Sequence, residues 1–151
     1  MENKFKEYRK NANLIVENDI IIPKSTESAT ILANLEYKLT NAQLKVCEEI
    51  IHDMTSHHVM NRLVQGDVGS GKTIVAFLTM VRCAHSGYQS AIMAPTEVLA
   101  RQHYESYIKM CQEFGLDFPI VLLTGSMKAK EKREAYTKMQ AQETDVVIGT
   151  H

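Results

Sequence analysis

The sequence predicts an α/β fold, a three-layer α/β/α sandwich on a parallel sheet of the P-loop type. Two observations predict it. Short apolar runs alternate with longer segments of helical periodicity, and the first of those runs leads into a glycine-rich loop that opens a helix. Strands separated by helices require crossover connections, which are right-handed and leave a parallel sheet covered on both faces.

Residues 1–38 are rich in Asn, Lys, Glu and Ser, with an apolar island at Ile20-Ile21-Ile22 stopped by Pro23 and a short helix expected over residues 31–35. They read as a connector, and residues 39–151 as the ordered domain. Thr40 can cap a helix in which Val46, Cys47, Ile50, Ile51 and Met54 recur at helical spacing. Leu63-Val64 then reads as a first strand, residues 74–84 as a helix ended by Gly87, and residues 91–94 as a second strand. Residues 98–114 read as a helix ended by Gly115, residues 120–123 as a third strand, residues 128–142 as a charged helix, and residues 146–148 as a fourth strand. The sequence stops at His151 without a closing helix, and P-loop domains normally carry more sheet than four strands, so a truncated domain is expected.

At 151 residues and 44% hydrophobic composition, the length suits one domain that buries a core without disulfides or metals. Seventeen Lys and Arg against eighteen Asp and Glu give a net charge of −1, so no global field draws the chain to a polyanion and any such contact must be local. Cys47, Cys83 and Cys111 have no C-x-x-C spacing and suit free thiols in a reducing compartment. A charged N-terminus without an apolar h-region, and the lack of any run near the roughly 20 apolar residues of a spanning helix, point to a cytoplasmic chain, with a monomer expected. The pair His57-His58, His103 and His151 form no metal-ligand spacing.

Gly66-Asp67-Val68-Gly69-Ser70-Gly71-Lys72-Thr73 matches the full Walker A pattern, after an apolar run and before a helix, as the chemistry requires. The glycines let the backbone curl so that successive N–H groups face phosphate oxygens, and the helix adds the positive end of its dipole. Lys72 is placed to bridge the β- and γ-phosphates of a nucleoside triphosphate, and Thr73 to give its hydroxyl to Mg²⁺. The bland reading of the same residues is a strand-to-helix turn that binds nothing. A P-loop does not by itself choose among kinase, GTPase, motor and helicase.

Four stretches narrow the choice: Leu39-Thr40-Asn41-Ala42-Gln43; Gln65 with the P-loop; Ala94-Pro95-Thr96-Glu97-Val98-Leu99-Ala100 with Gln102-His103-Tyr104; and Leu122-Leu123-Thr124-Gly125-Ser126 with Ile148-Gly149-Thr150-His151. In order and spacing they resemble the RecG family of superfamily 2 ATP-dependent DNA helicases, branch-migrating enzymes that remodel stalled forks in recombination and DNA repair. The resemblance covers residues 39–151, the N-terminal part of the first RecA-like lobe.

The resemblance implies ATP and Mg²⁺ as cofactors and branched or forked DNA as partner. It makes Gln43 the reader of the adenine edge, although Thr40-x-x-Gln43 is equally a capping box. The family often has Leu-Pro-Phe ahead of this motif where this chain has Leu35-Glu36-Tyr37, so an aromatic, Tyr37, is kept to stack on adenine while the proline is lost. Pro95-Thr96, Thr124-Gly125-Ser126 and Thr150 follow strand ends and are implied DNA-strand contacts, against the alternative of plain caps and turns. Lys128, Lys130, Lys132 and Arg133 crowd a helix start, where positive charge opposes the dipole and a nearby phosphate would relieve it; a solvated face paired through Glu131 and Glu134 is the alternative.

No Asp-Glu pair follows Thr73, so the Walker B carboxylates are expected beyond His151, as are the second lobe and its arginine finger. Two other classes stay open. A small-molecule kinase would need a lid with phosphate-clamping Arg residues, whereas Arg82, Arg101 and Arg133 all fall in predicted helices. A non-catalytic nucleotide- or DNA-binding module would share the loop without the motor.

Overall fold

The computed structural model describes residues 38–56 and 59–151. The proposed connector up to residue 37, with the island at Ile20-Ile21-Ile22, the helix over residues 31–35 and Tyr37, and the His57-His58 pair lie outside the described residues. The chain divides into two compact units at Thr79 and Met80.

In the first unit, helix α1 spans Asn41–Met54. It starts where the sequence predicts because Thr40 is extended (φ −68°, ψ 157°) and a complete capping box forms, Thr40 Oγ1 accepting from the Gln43 amide. Ile50 is its buried residue. The chain returning from α1 is tied to it by Arg62, whose Nε donates to Asp53 at 2.6 Å and whose NH1 donates to Glu49 at 2.5 Å, two carboxylates one helical turn apart. The Arg62 guanidinium holds the Asp53 carboxyl below its ordinary value, chiefly by this hydrogen bond.

Here the structure corrects one expectation. Leu63-Val64 forms no strand, and residues 59–67 carry no regular secondary structure. Leu63 is 87% exposed, so neither a ladder partner nor a covering layer rewards the extended conformation, and two apolar residues cannot fix a strand without them.

Helix α2, Lys72–His85, crosses the boundary between the units. Ile74, Val75, Phe77, Leu78, Met80 and Val81 are all buried along it, a broad stripe at helical spacing.

The second unit holds a three-stranded sheet: β1 Ser90–Met93, β2 Ile120–Leu123 and β3 Val146–Gly149. The order is β1-β3-β2, and both pairings are parallel, as the alternation predicts. Helix α3, Glu97–Phe114, connects β1 to β2 and packs on β2 and β3; helix α4, Ala129–Gln140, connects β2 to β3 and packs on β2. Val146 and Ile148 of the central strand are fully buried, in keeping with a parallel strand flanked on both sides.

The ladder is extended at its lower end by polar groups. Thr144, fully buried, donates its hydroxyl to Pro119 O at 3.0 Å, and Gln89 Nε2 donates to Thr144 O at 2.8 Å. Burial pushes Cys111 up to about 11, so this thiol stays protonated at neutral pH. No helix among the described residues is long and apolar enough to cross a membrane.

Candidate functional site

The glycine loop ends at the first turn of α2. Gly69 and Gly71 both take left-handed backbone angles (φ 81° and 80°), which residues with a Cβ adopt at a cost, and Ser70 N donates back to Asp67 O at 3.1 Å to close the turn. Lys72 opens α2, and its ammonium is held inside the loop: Nζ donates to Gly66 O and Asp67 O, each at 2.7 Å, and lies 3.3 Å from Ser70 Oγ. Three acceptors of the loop thus share one cation. Val68, at the loop tip, is fully exposed, and Thr73 follows on the first turn, partly buried.

Gln43 joins α1 to this loop. Its Oε1 accepts from the Thr40 amide at 2.8 Å, completing the capping box, while its Nε2 donates to Ser70 O at 2.8 Å. The cap predicted from the sequence is therefore formed, and the same carboxamide also touches the glycine loop, which the sequence did not suggest. Each contact uses one of two positions at its end of the carboxamide, leaving a second lone pair on Oε1 and a second N–H on Nε2, so Gln43 is held in place with hydrogen-bonding capacity to spare.

The second unit gathers the other candidates. Met93 of β1 and Leu123 of β2 both pair with Gly149 of β3, so the three strands end in register. Pro95-Thr96, Thr124-Gly125-Ser126 and Thr150 consequently leave the sheet on one edge. Pro95, Thr96, Gly125 and Ser126 are exposed and Thr150 is half-buried. Thr96 caps α3, its hydroxyl accepting from the Leu99 amide at 3.3 Å. Thr124 differs from the rest: it is 2% exposed, and its Oγ1 finds no hydrogen-bond partner among the described residues, so its side chain has no access to a ligand on this edge.

Lys128 is exposed at the start of α4, where its amide donates to Glu131 Oε2 at 2.9 Å. Lys130 lies 4.0 Å from Glu134, both well exposed, so part of the basic cluster is a solvated, locally paired face. Lys132 behaves otherwise and reaches back to donate to Gly125 O at 2.6 Å.

Glu97, on the first turn of α3, was missed as a site residue. Its Oε1 accepts from the Ser126 amide at 2.7 Å and its Oε2 from the Ser126 hydroxyl at 2.5 Å. The Ser126 hydroxyl and then its amide hold the Glu97 carboxyl below the usual carboxylate value, with Arg101 and Lys132 adding to the effect. Because the folded value is depressed, the contact is fully made above the ordinary carboxylate range and is lost as pH falls through the lower folded value. Among the described residues, no group of three or more His, Cys, Asp or Glu side chains could hold a metal ion.

A glycine loop of this spacing at a helix start, in a chain of parallel strands joined by helices, places the molecule among the P-loop α/β proteins. The chain belongs to the DEAD/DEAH box helicase family, whose model matches residues 40–151. It is similar to the ATP-dependent DNA helicase RecG of Streptococcus pneumoniae serotype 4, with 46% identity over 143 residues, 94% of this chain and 21% of the relative. It is also similar to the ATP-dependent DNA helicase RecG of Aquifex aeolicus, with 45% identity over 120 residues, 80% of this chain and 15% of the relative.

Among solved structures, that of RecG bound to a three-way DNA junction superposes with a TM-score of 0.79 at 37% identity, covering 98% of this chain and 20% of that one. A hypothetical ATP-dependent RNA helicase from Sulfolobus tokodaii superposes with a TM-score of 0.59 at 20% identity over 83% of this chain and 34% of that one, a likeness of fold. The sequence resemblance to RecG is thus shown, and the chain spans 15% to 21% of the length of these two RecG relatives.

Proposed function

We propose that the chain is the ATP-binding and DNA-contacting part of a RecG-like helicase that acts on branched DNA in fork reversal, recombination and repair. The observation that carries this reading is the glycine loop at the start of α2, with Lys72 held inside it by backbone carbonyls. A triphosphate would offer the Lys72 ammonium a stronger, charge-assisted partner than the two carbonyls it now meets. Residues 66–71 would cradle the phosphates, Lys72 would neutralise charge on the terminal ones, and Thr73 would present its hydroxyl to Mg²⁺. Bound Mg²⁺ would supply neutralisation of the charge that develops in phosphoryl transfer. Gln43 would select adenine and Tyr37 would stack on it.

The sheet edge formed by Pro95, Thr96, Gly125, Ser126 and Thr150, with Lys128 beside it, is the proposed DNA face. Helix starts and small polar turns suit a phosphate backbone and carry no sequence preference.

Hydrolysis needs carboxylates to hold the metal and orient water, and no Asp-Glu pair follows Thr73. The 151 residues alone should therefore bind ATP weakly without turning it over. Phosphate release measured with Mg²⁺, ATP and forked DNA in excess should stay at the blank rate, whereas sustained stoichiometric turnover by the purified chain would contradict the assignment.

A further inference from the structure

Both donors of Ser126, the turn residue best suited by its chemistry to grip a phosphate, are already spent on one carboxylate. Glu97 takes the amide at 2.7 Å and the hydroxyl at 2.5 Å across a sequence separation of 29 residues. The turn is held from the other side as well, since Lys132 of α4 donates to Gly125 O at 2.6 Å. The fit at the turn is close: a Cβ built on Gly125 would lie 3.1 Å from Glu97 Oε1, tighter than ordinary van der Waals contact. One strut therefore comes from the first turn of α3 and one from α4, with the turn after β2 pinned between them.

We propose that Glu97 is a positioning residue for the DNA face: it latches the Thr124-Gly125-Ser126 turn against the start of α3 so that the turn and the Thr96 cap present one fixed surface. In this arrangement the Ser126 amide and hydroxyl form the latch, and the exposed remainder of Ser126 with Gly125 and Thr96 is the surface offered to the strand. The inference rests on the reading of this edge as the DNA face.

A carboxylate on a DNA-facing edge is otherwise a liability, because it repels phosphates and its removal ordinarily tightens binding. Here the carboxylate faces two donors and sits near Arg101 and Lys132. Its deletion therefore frees a turn as well as removing a charge. Positioning and simple electrostatics make opposite predictions for the same substitution.

The test uses the 151-residue chain and its variants Glu97→Ala, Glu97→Gln, Ser126→Ala and the Glu97→Ala/Ser126→Ala double variant. Affinity for forked DNA is read by fluorescence anisotropy, and amide hydrogen exchange is followed at residues 125–127 without DNA. Glu97→Ala should weaken DNA binding about threefold to tenfold, the scale of losing hydrogen bonds to a charged but solvent-accessible group, and speed exchange at Ser126. Glu97→Gln keeps one acceptor and should fall between wild type and Glu97→Ala. The double variant should bind no worse than Glu97→Ala, since the two residues act as one unit.

Binding by Glu97→Ala equal to or tighter than wild type would overturn the inference, and tighter binding would mark Glu97 as a competitor for the phosphate. An unchanged Ser126 exchange rate in Glu97→Ala would also overturn it. Failure of the underlying reading looks different: the wild-type chain itself would show no affinity for forked DNA.

Discussion

Substituting Gly149→Ala should unfold the end of the sheet that carries the proposed DNA face. Gly149 closes the central strand β3, and a Cβ there would lie 2.2 Å from Leu123 O and 3.2 Å from Leu123 C, both backbone atoms of the neighbouring strand. Backbone cannot swing aside as a side-chain tip can, so β2 and β3 must separate where they now share a ladder. The same oxygen accepts from the Thr150 amide at 3.3 Å, and Gly149 O accepts from the Ala94 amide at 2.8 Å, so both neighbouring strand ends would be disturbed. Overpacking a tight contact of this kind costs about 3 kcal/mol or more. Urea unfolding followed by circular dichroism should show a clearly lowered midpoint, and an unchanged midpoint would mean that β2 and β3 do not approach as described.

Gly71→Ala should weaken the proposed ATP binding, for a related reason at a softer contact. Gly71 has φ 80°, and a Cβ there would lie 2.2 Å from Gln43 Nε2. That amide can move, but only by giving up its hydrogen bond to Ser70 O, the link between α1 and the loop. The left-handed backbone adds about 1–2 kcal/mol of strain and the lost bond about 1 kcal/mol. A fall in ATP affinity of tenfold or more is the expected result. Gly69→Ala is the internal comparison: φ is 81°, yet nothing lies within 4 Å of its Cβ, so it meets the strain without the collision. Equal losses in the two variants, measured by titration with a fluorescent ATP analogue, would show that the Gln43 contact does not matter.

The parts of this molecule legible in its sequence are those encoded by neighbours along the chain. Thr40 and Gln43 are three residues apart, so the capping box can be read directly, and it forms. Gly87 and Gly115 follow helical periodicity and do adopt left-handed angles beyond α2 and α3. The apolar runs at residues 91–94, 120–123 and 146–148 have enough length and β-branching to mark strands, each found within a residue of its place. Leu63-Val64 is the exception, since a strand also needs a neighbour to accept its ladder and no local pattern supplies that information.

Two contacts of the candidate site escaped the sequence because they join remote residues. Glu97 meets Ser126, and Gln43 meets Ser70. An acidic residue on the first turn of a helix is ordinarily explained by the dipole alone, so Glu97 gave no signal of a second role. Arg62 could have been sought from the i, i+4 carboxylates Glu49 and Asp53, which want a cation, but nothing local says which one arrives. Thr124 shows the reverse case. It belongs to a polar turn by sequence and is nevertheless buried, because the residue after a strand can still point into the layer that the strand covers.

The loop of residues 66–73 is proposed to hold ATP through Lys72. Equilibrium titration of the wild-type chain and of Lys72→Ala with ATP and with GTP, each with Mg²⁺, tests it most directly. Wild type should bind ATP saturably and in preference to GTP, and Lys72→Ala should show no measurable binding while keeping the helical content of the wild type. An affinity for ATP in Lys72→Ala equal to that of the wild type would contradict the account.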